Sequence, residues 1–120
     1  MPLLHGESKD FFNAADYFVD RNIRQGRGHK IAIYSEHRNY TYNDVQKMVN
    51  KTANAMLDLG LRVEDRIMML MLDVPQFYAI FWGAVKIGAV PIPVNTMLTP
   101  EDYEYYLNDS RTRVLALSEE

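Results

Sequence analysis

Cysteine is absent from this chain of 120 residues. That excludes disulfides, thiolate metal sites and a cysteine nucleophile together, and it suits the reducing cytoplasm. There is also no run of lysine or arginine, and 13 basic against 16 acidic residues leave a formal charge of −3. Nothing of that kind recruits a nucleic-acid backbone or an anionic membrane. Long hydrophobic runs are missing too. Phe77 to Leu98 carries only Lys86 as a charge, but Gly88, Pro91 and Pro93 interrupt it, and the apolar part before Lys86 is too short to span a bilayer. Met1 to Asp10 has no apolar run behind a basic start, so no secretory signal is read there. Neither a G-x-G-x-x-G nor a Walker sequence occurs. Gly26-Arg27-Gly28-His29-Lys30 has the wrong spacing for a phosphate loop and lies between a helix and a strand, the reverse of the order in which helix N–H groups face an anion.

What is present is the composition of a globular protein, 48% apolar and 24% charged. Residues 1–120 fit one α/β domain with one hydrophobic core. Phe11, Ala15, Phe18, Val19 and Ile23 recur at helical spacing, with Asn13 or Asp10 able to cap the start and Gly26 and Gly28 at the end. Lys30 to Ser35 and Arg38 to Tyr42 read as a hairpin around Glu36-His37. Thr41 and Asp44 form a capping-box pair before a helix whose stripe is Val45, Met48, Val49, Thr52, Ala53, Met56 and Leu59. Arg66 to Leu72 is apolar without alternation, as a strand inside a parallel sheet should be. Asp73 and Gln76 read as a second capping box around Pro75. The helix that follows, with Phe77, Ile80, Phe81, Ala84 and Val85, stops at Gly88. Ala89 to Val94 is a short strand pushed toward an edge by Pro91 and Pro93. Thr99 to Asp102 opens a third capped helix, and Arg113 to Leu117 is a last strand. Counted from Tyr40, the order is β-α-β-α-β-α-β, which predicts a mainly parallel, Rossmann-like sheet with packed helices.

Constellations for catalysis are thin. His5, His29 and His37 are scattered, without carboxylates at ligand spacing. The serines lack a nucleophile-elbow context. Asp16, Asp20 and Asp44 read as caps or solvated helix faces. Met48, Met56, Met68, Met69, Met71 and Met97 read as core filling. Tyr103, Tyr105 and Tyr106 sit among acids, which favours packing or an interface over nucleic-acid stacking. No catalytic residue and no metal ligand is assigned.

Four segments nevertheless resemble one family. Tyr40-Thr41-Tyr42-Asn43-Asp44-Val45 is similar to a T-Y-x-E-L box at a helix start, with Asp-Val where Glu-Leu is commoner. Gly83 to Asn95 resembles a second box, in which a helix ends at a glycine and feeds a G-A-V-x-x-P-x-N strand. Asn95 to Tyr103 resembles N-T-x-L-T-P-x-D-Y, and Phe12 to Asp20 resembles the opening of the same proteins. These are features of the adenylate-forming acyl- and aryl-CoA ligases, in particular the benzoate–CoA ligases, and the likeness runs from about Phe11 to Ser118. It implies the first part of an ATP-dependent ligase that makes an acyl-adenylate and then a CoA thioester, with benzoate or a hydroxybenzoate as substrate. ATP, Mg²⁺ and CoA would serve the whole enzyme, and none is expected to bind this segment alone. The family's phosphate loop, ribose-binding acidic motif, hinge and C-terminal lysine have no counterpart here, so the isolated chain is expected to be inactive.

By the same resemblance, Lys86 stands where some aryl-CoA ligases carry a basic residue near the CoA phosphates. It is the one cofactor-binding candidate, though a lysine in a helix's last turns also suits the helix dipole. Asn95 is a weaker candidate that more simply fixes the turn before Thr99. The implied partners are the rest of the ligase chain and a small carboxylic acid, with self-association through apolar groups meant to face absent residues. Two alternatives stay open: a stand-alone interaction module built on the ligase's first subdomain, and part of an adenylation domain that loads a carrier protein.

Overall fold

A computed structural model describes residues 13–118; the expected roles of Asp10 and Phe11 lie outside them. The Asn13 side-chain oxygen accepts the N–H groups of Ala15 and Asp16 at 2.9 and 3.4 Å, so Asn13 caps the opening helix. Asp16–Asp20 is wound as a π-helix and runs directly into α1, Arg21–Arg24. The wider winding shifts the apolar stripe. Ala15 and Val19 are buried, whereas Phe18, expected on the same face, is 54% exposed and lies tilted against Trp82.

The chain turns through Gly26, which has positive φ, into β1 (Ile31–Tyr34) and β2 (Asn39–Thr41). These pair antiparallel, as the hairpin reading required. β2 does not join the parallel sheet, which corrects the strand count from Tyr40. It is three residues long, its pairing goes to β1, and Thr41 at its end is already the cap of the next helix.

Thr41 and Asp44 make the expected capping box on α2, Tyr42–Asp58. Val45, Val49, Ala53 and Met56 form its buried face. Leu59 falls just past the helix and is 69% exposed, so the stripe ends one residue-step earlier than its spacing suggested. β3 (Arg66–Leu70), α3 (Pro75–Lys86), β4 (Val90–Pro93), α4 (Pro100–Ser110) and β5 (Val114–Leu117) complete the fold. The order in the sheet is β4-β3-β5, all parallel. β3 is central, with Ile67, Met68 and Met69 at most 2% exposed. Full burial of such side chains is worth roughly 1.5–3 kcal/mol each.

The Asp73–Gln76 capping box is not made. Val74 is the N-cap, in extended conformation and with no side-chain bond, and Pro75 follows as the first helical residue. A proline there forces its predecessor out of helical angles, so the cap must be residue 74. Asp73 then lies one position too early to reach an orphan N–H. Thr99 and Asp102 do form their box. Met97 is also corrected: it is 88% exposed rather than core.

α2 and α3 cover one face of the sheet together. Met56, Ile67 and Ala84 share a cluster with Leu61 and Ala89, and Val114 and Ala116 pack against it. The helices approach closely at Gly83, where an added Cβ would lie 3.3 Å from both the Ala53 nitrogen and the Val49 oxygen. Both neighbours are helical backbone and cannot step aside. Gly83→Val should therefore lower unfolding free energy by about 1–3 kcal/mol, read from the urea midpoint. The cap on α2 supports a second expectation. The Thr41 N–H donates to Asp44 at 2.9 Å, and this bond first, with Arg38 nearby, holds the Asp44 carboxyl below its usual range. A depressed carboxyl stabilises the fold above its unfolded value, about 4, and loses that contribution as pH falls through the folded value. Asp44→Asn should remove this part of the acid sensitivity, seen by comparing urea midpoints at neutral pH and below pH 4, while Thr41→Ala should cost about 1 kcal/mol at neutral pH.

Candidate functional site

Lys86 is the last residue of α3, and three helices converge on its side chain. Its ammonium donates to Asp20 Oδ2 at 3.2 Å and to Asn50 Oδ1. Asp20 Oδ1 in turn accepts from Gln46 Nε2 at 2.9 Å. The π-helix thus supplies a carboxylate that bridges α2 and α3. The side chains of Lys86 and Asp20 are 32% and 14% exposed, so this ion pair is partly shielded from water. Its contribution to stability is on the order of 1 kcal/mol. Two of the three ammonium protons have protein acceptors among the described residues, and a third of the side-chain surface remains open.

Asn13 closes the same corner from below. Its amide nitrogen donates to the carbonyls of Val85 and Lys86 at 3.1 and 3.3 Å, joining the Gly88 N–H on the Val85 carbonyl at the end of α3. One side chain therefore caps the start of one helix and the end of another.

Asn95 lies elsewhere, beyond β4. Its Oδ1 accepts the Met97 N–H at 2.8 Å, and its carbonyl accepts the Tyr103 hydroxyl at 2.8 Å. The same hydroxyl accepts the Leu98 N–H at 2.9 Å. Both groups brace the turn that leads into the Thr99 cap, the structural role expected of Asn95. Lys86 and Asn95 are not brought together in a common site by any bond among the described residues.

The Gly26–Lys30 loop is turned away from anion binding. The Gly28 and Lys30 carbonyls accept the Asn43 and Tyr42 N–H groups at 2.9 and 3.0 Å, and Thr41 Oγ1 accepts that of Asp44 at 3.1 Å. The first N–H groups of α2 are thus occupied by carbonyls and a hydroxyl. A cleft of about 500 Å³ lies between the hairpin and the β3–α3 connection, lined by Glu36, His37, Tyr40, Asp73 and Gln76 among others. Its charged side chains are acidic, so it does not suit a polyphosphate. Among the described residues no group of three or more His, Asp or Glu side chains could hold a metal ion, and no helix is long and apolar enough to cross a membrane.

Sequence reasoning missed two carboxylate roles. Asp16, read as a cap or a solvated face, is 6% exposed and accepts from Nη1 and Nη2 of Arg24 at 2.6 and 3.0 Å. The Arg24 pKa is raised above its ordinary value by that hydrogen bond. Their eight-residue separation exceeds the three- and four-residue steps at which helical side chains ordinarily meet, so spacing alone gave no signal. Asp20 joining Lys86 across 66 residues had no local signal.

Known proteins place this architecture. Residues 19–120 match the AMP-binding enzyme family. The chain is 41% identical over 109 residues to a 4-hydroxybenzoate–CoA/benzoate–CoA ligase of Rhodopseudomonas palustris, covering 91% of this chain and 20% of that protein. It is 43% identical over 110 residues to a benzoate–CoA ligase of Thauera aromatica, covering 91% and 21%. Its fold matches the crystal structure of the anthranilate CoA ligase AuaEII in complex with anthranoyl-AMP, with a TM-score of 0.88, 34% identity, and 95% of this chain on 22% of that one. The chain spans about a fifth of the length of these relatives. With most of its residues matched and its fold shared, the chain belongs to the AMP-binding enzyme family.

Proposed function

We propose that this chain is the first part of an AMP-forming carboxylate–CoA ligase acting on benzoate or a hydroxybenzoate. The observation behind this reading is the identity of 41–43% with two benzoate–CoA ligases across 91% of the chain. A cytoplasmic setting, where ATP and CoA are available, belongs to the same reading. The described residues do not by themselves fit ATP with Mg²⁺. The first amides of α2 are taken, and the cleft beside the hairpin is lined by Glu36 and Asp73. Stabilising charge on a transferring phosphate needs converging donors, and losing one such donor commonly costs about a hundredfold in rate. On this reading, the segment's task in the enzyme is to present a rigid α/β wall.

Lys86 is the residue of this segment that suits an anionic ligand. We propose that in the whole ligase its exposed edge contacts a phosphate of CoA while Asp20 and Asn50 fix its direction. A phosphate contact of this kind acts in thioester formation and not in adenylate formation.

Three measurements test these statements. The purified chain, given ATP, Mg²⁺, CoA and a panel of aromatic and aliphatic acids, should release no pyrophosphate and form no thioester. A chimera carrying this segment in place of its counterpart in the Thauera aromatica ligase should regain benzoate-dependent AMP formation, and a folded but inactive chimera would count against the ligase reading. In that active chimera, Lys86→Ala should raise the KM for CoA about tenfold with adenylate formation nearly unchanged. Asp20→Asn, which keeps the ammonium, should change CoA use less. Equal loss in both half-reactions from both variants would assign Lys86 a purely structural role.

A further inference from the structure

Helix α3 is apolar on more sides than the fold covers. From Phe77 to Val85 it carries no charged side chain, and the Tyr78 hydroxyl is the one polar side-chain group. Apolar residues all round are the mark of a helix buried on every side. Two sides are covered. Ile80, Ala84 and Ile87 pack into the cluster on the sheet, and Gly83 meets the backbone of α2. The third side is a band of rings. Phe77 and Phe81 stack with centroids 6.2 Å apart, and Phe81 stands edge-on to Trp82 at 5.1 Å. Trp82 meets Phe18 of the opening helix at 5.5 Å, and Tyr78 adjoins Phe77 at 6.0 Å. Tyr78 and Phe18 are 44% and 54% exposed, and the other three rings are half-buried. Beside the band a groove of about 380 Å³ runs between α3 and β1, and no charged side chain lines it. Contiguous apolar surface of this kind marks a contact site.

We propose that this band and groove form the interface on which the remaining body of the ligase seats, making α3 an internal helix of the whole enzyme. The inference rests on the ligase reading above. The relatives supply the occupant. The shared fold takes up 22% of the anthranilate CoA ligase chain, and the matched segment 20% and 21% of the two benzoate–CoA ligases. In each relative, most of the chain therefore lies outside this unit and is available to cover it. The groove's chemistry sets the character of what covers it. Uncharged walls edged by rings take aliphatic or aromatic side chains, because a charge buried there would have no partner. Leu59 offers a contrast on the same molecule: it is 69% exposed where α2 ends, yet belongs to neither the band nor the groove.

The cysteine-free sequence lets single thiols report on this surface. Tyr78→Cys and Leu59→Cys are each made in the isolated chain and in the chimera with the Thauera aromatica ligase. Maleimide labelling at that one position is followed by peptide mass. In the isolated chain both positions should label rapidly. In the chimera position 78 should label about tenfold more slowly, because a covered thiol reacts only through local opening, while position 59 should keep its rate. Far-UV circular dichroism identifies any variant that fails to fold, and Phe18→Cys is the second probe of the band. Should the chimera itself fail to fold, a cysteine at the aligned position of the Thauera aromatica ligase, compared with the isolated chain, decides. A folded but inactive chimera that protects position 78 supports the interface while counting against the ligase reading. An active chimera that labels at position 78 as fast as the isolated chain overturns the interface and leaves the ligase reading standing. Equal slowing at positions 78 and 59 also overturns it, since the protection would not belong to the band. So does protection within the isolated chain that grows with its concentration, which would assign the face to a second copy. Protection that appears on adding phosphatidylcholine–phosphatidylglycerol vesicles would assign it to a membrane and overturn the proposal likewise.

Discussion

The structure depends on β3, which shares its backbone with both neighbours. Carbonyls of Asp65 and Met69 serve β4, and those of Arg66 and Leu70 accept from Arg113 and Ser118 at the two ends of β5. With both edges paired, its side chains are apolar on both faces, and Ile67, Met68 and Met69 are almost wholly removed from water. A polar residue at any of these positions would leave a buried group without a partner, at a cost of about 1–3 kcal/mol. Everything else is arranged around that strand. Helices α2 and α3 lie over one face, and both flanking strands take their register from it.

The helix pair converts this scaffold into a rigid corner. Gly83 lets the backbones of α2 and α3 approach, and the opening π-helix is then fastened to both by Asp20. Asn13 ties the start of that helix to the end of α3. Lys86 stands at the meeting point of these contacts. A long, flexible lysine is normally a poor reader of position, but two acceptors on separate helices restrict its ammonium to one place. This explains how a residue can be both a structural tie and a candidate ligand contact without contradiction. Its Coulombic partner holds the charge, and the part of the surface left open can still meet an anion.

Family membership and partial length fit the chemistry of the chain. The amides at the start of α2, which could bind an anion, are taken by the Gly28 and Lys30 carbonyls and the Thr41 hydroxyl. The cleft by the hairpin carries Glu36 and Asp73 beside His37. A segment that covers about a fifth of its relatives is thus built around scaffold contacts, with the partly exposed Lys86 ammonium held among them.

Local signals in the sequence determined the elements and most of their ends. Thr41 with Asp44, and Thr99 with Asp102, are caps because a hydroxyl and a carboxylate three residues apart can reach each other's N–H in any context. The unbroken apolar run of β3 could only suit a strand covered on both faces, and the prolines of β4 could only suit an edge. The family boxes lay in the sequence as well, which is why membership was legible from residues alone. Tertiary structure decided what depends on phase and distance. The π-helical winding rotated Phe18 outward, Pro75 moved a cap from Asp73 to Val74, and β2 stayed with β1 instead of entering the parallel sheet. It also set the surroundings of the one candidate site residue. Lys86 meets Asp20 across 66 positions and Asn50 across 36. No local pattern encodes such a meeting, because it arises only when three helices pack on a common core.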